Sequence, residues 1–129
     1  MNKIADVMKK QSHFRCGDSV SDEEISSAEQ KLGFSFAPEY RDYIAELGFA
    51  SFSGHELTGI CKYKRLNVVE VTTAEWSNNQ NTPKTMYVIE RLNIDNIIVW
   101  QDSSGAIYET NYDSQPILIC SSLEEYILK

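Results

Sequence analysis

The segment from Ser21 to Gly48 constrains this chain most, because its punctuation fits two capped helices joined by a short link and little else. Ser21 is followed three residues later by Glu24, the spacing of a capping box, in which each side chain reaches an orphan backbone donor. Ile25, Ala28 and Leu32 recur at helical spacing, and Gly33 supplies the left-handed residue that ends the helix. Pro38 opens a second helix, where its missing N–H costs nothing. Tyr40, Tyr43, Ile44 and Leu47 form its apolar stripe, and Gly48 stops it. The faces opposite these stripes are acidic.

The remainder reads as further helices around a run of strands. Residues 1–10 suit an amphipathic helix with Ile4, Val7 and Met8 on one side. Residues 67–76 have helical apolar spacing, although Val68, Val69, Val71, Thr72 and Thr73 favour strands. The Asn- and Ser-rich residues 77–83 form a loop. Two apolar runs, 86–92 and 97–101, are separated by turn-forming Asn93 to Asn96. Asp102 to Gly105 is a hairpin signal, with residues 106–110 as the return strand and Tyr108 opposite Ile107 and Glu109. Residues 111–114 make another turn, and residues 116–119 are either a short buried segment or an edge strand. Ser121 or Ser122 can cap a final helix with Leu123, Tyr126 and Ile127 as its stripe. The expectation is one domain over residues 1–129 of the α+β class: a mainly antiparallel sheet with helices packed against it.

Composition agrees and excludes several functions. A chain of 129 residues can bury one core, and 42% apolar with 24% charged residues is ordinary for a globular protein. No apolar run approaches the roughly 20 residues needed to span a bilayer. Residues 1–10 make a poor signal peptide, since Asp6 interrupts a very short apolar stretch, so a cytoplasmic location is expected. Cys16, Cys61 and Cys120 are odd in number and widely spaced, which reads as free, mostly buried thiols. The net charge of −7 is unevenly spread. Residues 21–60 carry two basic and eight acidic groups, and residues 93–129 one basic and six acidic. Such a field repels nucleic-acid phosphates and steers a basic protein partner inward, although a solvated surface has the same composition.

Candidate chemistry is thin. His55 with Cys16 or Cys61 has no local nucleophile signature, and His55-Glu56 has no third ligand at a recognisable spacing for a metal. No glycine-rich phosphate cradle appears. The expectation is a protein with no catalytic residues, no metal and no cofactor.

The acidic helix ending in Leu32-Gly33, the link to Pro38-Glu39-Tyr40-Arg41 and the Tyr43-Ile44 helix ending at Gly48 resemble the opening of a SUKH-superfamily domain. The match is strongest over residues 21–48. That superfamily includes bacterial immunity proteins that neutralise toxins deployed between neighbouring cells, and fungal regulators of cell-wall assembly. In such domains the helices cluster against one face of an antiparallel sheet. This chain has Leu47-Gly48 where many relatives have Asn-Gly, and Leu92 to Asn96 where many have a glycine-rich turn.

The resemblance implies an immunity protein that occludes a cognate polymorphic toxin, of nuclease type, with a non-catalytic regulatory or scaffolding module as the alternative. The toxin is expected to present a basic surface; neither nucleic acid nor membrane is an expected partner. From charge and element placement, the contact candidates are Glu39, Asp42, Glu46, Asp102, Glu109 and Asp113, with Trp76, Tyr108 and Tyr112 as aromatic anchors. Acids would mainly set the association rate, and desolvated aromatics the dissociation rate. Packing alone would also account for these aromatics.

Overall fold

The computed structural model describes residues 2–112 and 114–129. Asn2 caps the first helix, α1 (Lys3–Lys9), by accepting from the Ala5 N–H. The capping box of α2 (Asp22–Leu32) is present in both directions, with Ser21 Oγ accepting from Glu24 N at 3.2 Å and Glu24 Oε1 from Ser21 N at 3.4 Å. Gly33 closes α2 in the left-handed region at φ 93°. The link to α3 (Pro38–Leu47) is held by Glu29, whose carboxylate accepts from Phe36 N at 2.8 Å and from Arg41 Nε at 3.2 Å.

Among the described residues, seven strands follow chain order in one antiparallel meander: β1 (Arg15–Cys16), β2 (Ala50–Phe52), β3 (His55–Leu57), β4 (Met86–Arg91), β5 (Ile98–Asp102), β6 (Ile107–Thr110) and β7 (Ile117–Cys120). The first three strands have no counterpart in the sequence reading. They are two or three residues long, and a turn with φ 47° at Ser53 and φ 83° at Gly54 sets the β2–β3 register. Positive φ at both central residues matches the right-handed twist of a hairpin. Residues 117–120 form an edge strand, since β7 ends the sheet order.

The strongly β-branched stretch is helical, as α4 (Val68–Asn78). Its cap outweighs its propensity. Asn67 Oδ1 accepts from Val69 N and Glu70 N, while Asn67 Nδ2 donates to Cys61 O at 3.0 Å. Asn67→Ala is expected to cost about 1–2 kcal/mol in urea denaturation, at the upper end for a cap because the tie to Cys61 is lost as well.

Alternation along β4 and β5 creates two apolar faces. Tyr87, Ile89 and Val99 join Ile107 in a core with residues of α1, α2, α3 and α5 (Leu123–Leu128), among them Met8, Ile25, Tyr40 and Ile44. Met86, Val88, Ile98 and Trp100 face the other way and pack with Val71 of α4 and half-buried Trp76. The expectation of helices on one face therefore needs correcting for α4. β3 pairs with β4 only at Leu57–Glu90, so the Val88 N–H instead reaches Thr72 Oγ1 at 3.0 Å, and α4 covers that stretch. Beyond α4, Asn79 Oδ1 accepts from Thr110 Oγ1 and Thr110 Oγ1 accepts from Trp100 Nε1, which seats the loop over the second face.

No helix among the described residues is long and apolar enough to cross a membrane. The thiols also differ from expectation. Cys120 is buried, but Cys61 is half-buried and Cys16 exposed, because β1 is an edge strand of only two residues.

Candidate functional site

The acids placed on α3 have three different fates. Glu39 is turned inward. Its carboxylate accepts from the Leu123 N–H, from Glu124 N at 3.3 Å and from Gln101 Nε2 at 3.3 Å, thereby capping α5. Gln101 Oε1 accepts in turn from the Tyr87 hydroxyl at 2.8 Å, and that hydroxyl accepts from Ala37 N at 3.0 Å. Glu39 thus ends a polar relay joining the start of α3 to β4, β5 and α5, and is half-buried. Glu46 pairs with Lys9 of α1. Asp42 is exposed.

The candidates on the later strands separate as well. Asp102 Oδ1 accepts from Ser104 N, Ser104 Oγ and Ala106 N, so this oxygen holds the β5–β6 turn. Asp102 and Tyr108 are nevertheless brought together, beside Pro83, Met86, Gln115 and Pro116 in a shallow cleft. Tyr112 lines a different cleft with Glu75, Arg91, Asn93, Asp95 and Ile97. That cleft is polar at its base, where Arg91 Nε donates to Glu75 Oε2 at 2.7 Å. Glu109 is half-buried, lies opposite Val99 and Ile117, and so occupies the other face of β6 from Tyr108. Trp76 is committed to packing: it meets Phe34 edge-on, donates Nε1 to Met86 O at 3.3 Å, and has the Lys84 ammonium 5.9 Å from its ring centroid. Asp113 lies outside the described residues.

Two residues absent from the candidate set are more exposed than any aromatic in it. Ile117 and Leu118 on β7 are each 60% exposed, and Leu128 at the end of α5 is 58% exposed. Each strand residue sits beside a named candidate, with Ile117 opposite Glu109 and Leu118 opposite Tyr108. The end of the sheet formed by β5, β6, β7 and α5 is therefore an apolar rim backed by acids and a tyrosine. As successive strand residues, Ile117 and Leu118 lie on opposite faces of the sheet. The signal available in the sequence was the uncharged run from Ser114 to Leu123.

The titratable cluster centred on Glu90 has a different character. Glu90 is 2% exposed and its carboxylate accepts from Glu56 N at 2.8 Å and from the Tyr126 hydroxyl at 2.5 Å, with His55 Nδ1 at 2.9 Å. The hydrogen bond to Glu90 raises the His55 pKa despite partial burial. Burial first, and then the Glu90 charge, push the Tyr126 hydroxyl far above its ordinary range. Neither thiol with a raised pKa joins this cluster by a hydrogen bond: Cys61 Sγ is directed at Tyr63 O and Cys120 Sγ at Ser122 O. Burial is the main cause of both upward shifts, which is opposite to the activation a nucleophilic thiolate needs. The cluster fastens α5 to β3 and β4. Among the described residues no group of three or more His, Cys, Asp or Glu is placed to hold a metal ion.

No curated protein matches the sequence significantly. The family model SUKH_5, described as SMI1-KNR4 cell-wall, matches residues 1–128, from α1 through the Glu39-capped α5, and the chain therefore belongs to that family.

Proposed function

We propose that this protein is an immunity protein, which binds a cognate bacterial toxin of nuclease type and blocks it by stoichiometric occlusion. The observation that carries this reading is the sheet end where exposed Ile117 and Leu118 lie beside Glu109 and Tyr108, in a segment of net acidic charge. A nuclease must present basic groups to phosphate, and an acidic rim around apolar anchors is complementary to such a surface. Family membership supports a protein-interaction role at the coarser level. The family's cell-wall description favours a second reading, a regulatory module of the same fold that binds a protein without inhibiting it. The contact set is Ile117 and Leu118 as apolar anchors with Asp42, Asp102, Tyr108, Glu109, Tyr112 and Asp113. Glu39, Glu46 and Trp76 contribute by holding the scaffold.

Co-expression with the toxin encoded beside its gene separates the two readings. Rescue of growth with a stoichiometric complex is expected, and a toxin that stays lethal beside abundant folded protein overturns the immunity reading. Charge reversal at Glu109 and Asp113 together is expected to slow association with that toxin roughly tenfold at low salt and to flatten its salt dependence. An association rate that keeps the wild-type salt dependence removes both acids from the contact.

A further inference from the structure

We infer that the free edge of β7 is a strand-addition site for an extended segment of a basic protein. Among the described residues β7 has one neighbour, β6, and no strand on its other side. An edge left open is normally blunted by charge, by proline or by a bulge. β1, the opposite edge, fits that rule, being two residues long and carrying Arg15. β7 reads Ile-Leu-Ile-Cys and has no charge of its own. Its protection lies at its two ends: Pro116 precedes it, and at the other end the register shifts at Ile119 and Lys129 Nζ donates to Ile119 O at 3.3 Å. Ile117 and Leu118 remain open, one on each face of the sheet.

The flanking charge selects the occupant. Glu109 is the cross-strand neighbour of Ile117, and Asp102 shares a cleft with Tyr108, the neighbour of Leu118. Glu125 caps the chain just after β7 by accepting from Ser121 N at 2.9 Å. An added strand would lie two strand spacings from β6, or about 10 Å, a gap that a lysine or arginine side chain spans over Ile117 to reach Glu109. Alternate side chains of such a strand would rest on Ile117 and Leu118, while main-chain hydrogen bonds supplied affinity. A second copy is disfavoured as occupant, because two-fold pairing of β7 would bring two sets of these acids together.

The inference takes from the proposed function only that the occupant is a protein, and its test does not use the toxin. The probes are two blocked octapeptides, one alternating lysine and valine and one alternating glutamate and valine, titrated into the isotopically labelled full chain. The lysine peptide is expected to shift the Ile117 and Leu118 amides and to slow exchange of whichever faces the open edge, at least tenfold more tightly than the glutamate peptide, with affinity falling as salt rises. Ile117→Lys with Leu118→Lys is expected to weaken lysine-peptide binding at least tenfold, while Ile117→Glu with Leu118→Glu loses less. Both substituted positions are 60% exposed, so an unchanged melting temperature serves as the folding control. Undisturbed β7 amides overturn the proposal, as does equal binding of both peptides. A concentration-dependent dimer abolished by Leu118→Lys overturns it in favour of a second copy. A peptide that binds β7 while the toxin remains lethal removes the immunity reading and leaves this one standing.

Discussion

Gly48→Ala is expected to lower the unfolding free energy by roughly 4 kcal/mol, combining backbone strain with overpacking. Gly48 sits at φ 74° and ψ −65°, and the Phe49 N–H turns back to Leu47 O at 2.8 Å. This three-residue turn with positive φ is rare and strained even before a side chain is added. A Cβ here would lie 2.3 Å from the Asp18 carbonyl oxygen, a backbone atom that cannot rotate away. The crowding has a second side. Gly48 O accepts from Ile60 N at 2.9 Å, and a Cβ on Gly59 would approach the same oxygen to 1.8 Å. Three backbone segments meet where α3 gives way to β2, and only glycine lets them close. Gly33→Ala is the control, since Gly33 shares positive φ, at 93°, but has nothing within 4 Å of its would-be Cβ. It is expected to cost about 1–2 kcal/mol. Equal losses for the two variants in urea denaturation would refute the close-packing account of Gly48.

Gly48 also marks how far local reading of this chain reaches. As a helix stop it was legible, because the end of an apolar stripe and a glycine are neighbours in sequence. Its contact with Asp18 and Gly59 was not, since those segments meet only after folding. The same division holds for the elements. The capping box at Ser21 and the hairpin at Asp102 to Gly105 are encoded within a few residues and are legible in the sequence. β1, β2 and β3 are not legible, because strands of two or three residues carry too little alternation, and His55-Glu56 is polar. α4 was legible from its apolar spacing in spite of its β-branched residues, and Asn67 supplies the cap that favours it.

The candidate surface divides in a similar way. Glu39, Asp42 and Glu46 share the outward side of the α3 pattern, so helical periodicity treats them alike. Glu39 faces inward because Gln101 and the start of α5 arrive from more than sixty residues away. No local pattern carries that information. Ile117 and Leu118 show the converse. Their run of apolar residues fits a buried segment or an edge equally well, and only the sheet order decides between them. What makes them a surface is the absence of a neighbour, which a sequence does not display. Charge divides too: Glu109 lies opposite Ile117 on the exposed strand, whereas Asp95 lines the cleft that holds Arg91 and Tyr112.

Glu90→Ala is expected to cost about 3 kcal/mol, the scale for removing one partner of a buried charged cluster. The substitution leaves the Glu56 N–H and the Tyr126 hydroxyl without their acceptor, and His55 without its partner. Tyr126 belongs to α5, so the loss should also loosen α5 from the sheet, seen as faster amide exchange at Leu123 to Leu128. Glu90→Gln separates packing from charge, since it preserves volume and one acceptor oxygen. Its signature lies in pH. The Glu90 hydrogen bond raises the folded-state pKa of His55, so protonated His55 stabilises the fold below the unfolded value of about 6.5. That contribution is lost as pH rises through the raised folded value. The wild-type urea midpoint should therefore fall across this window above about pH 6.5, and the Glu90→Gln midpoint should stay flat through it. His55→Gln should flatten the same window while leaving α5 exchange near the wild-type rate, because Tyr126 keeps its bond to Glu90. A Glu90→Gln variant that retains the full wild-type slope would assign the pH dependence to another group and leave Glu90 a packing role alone.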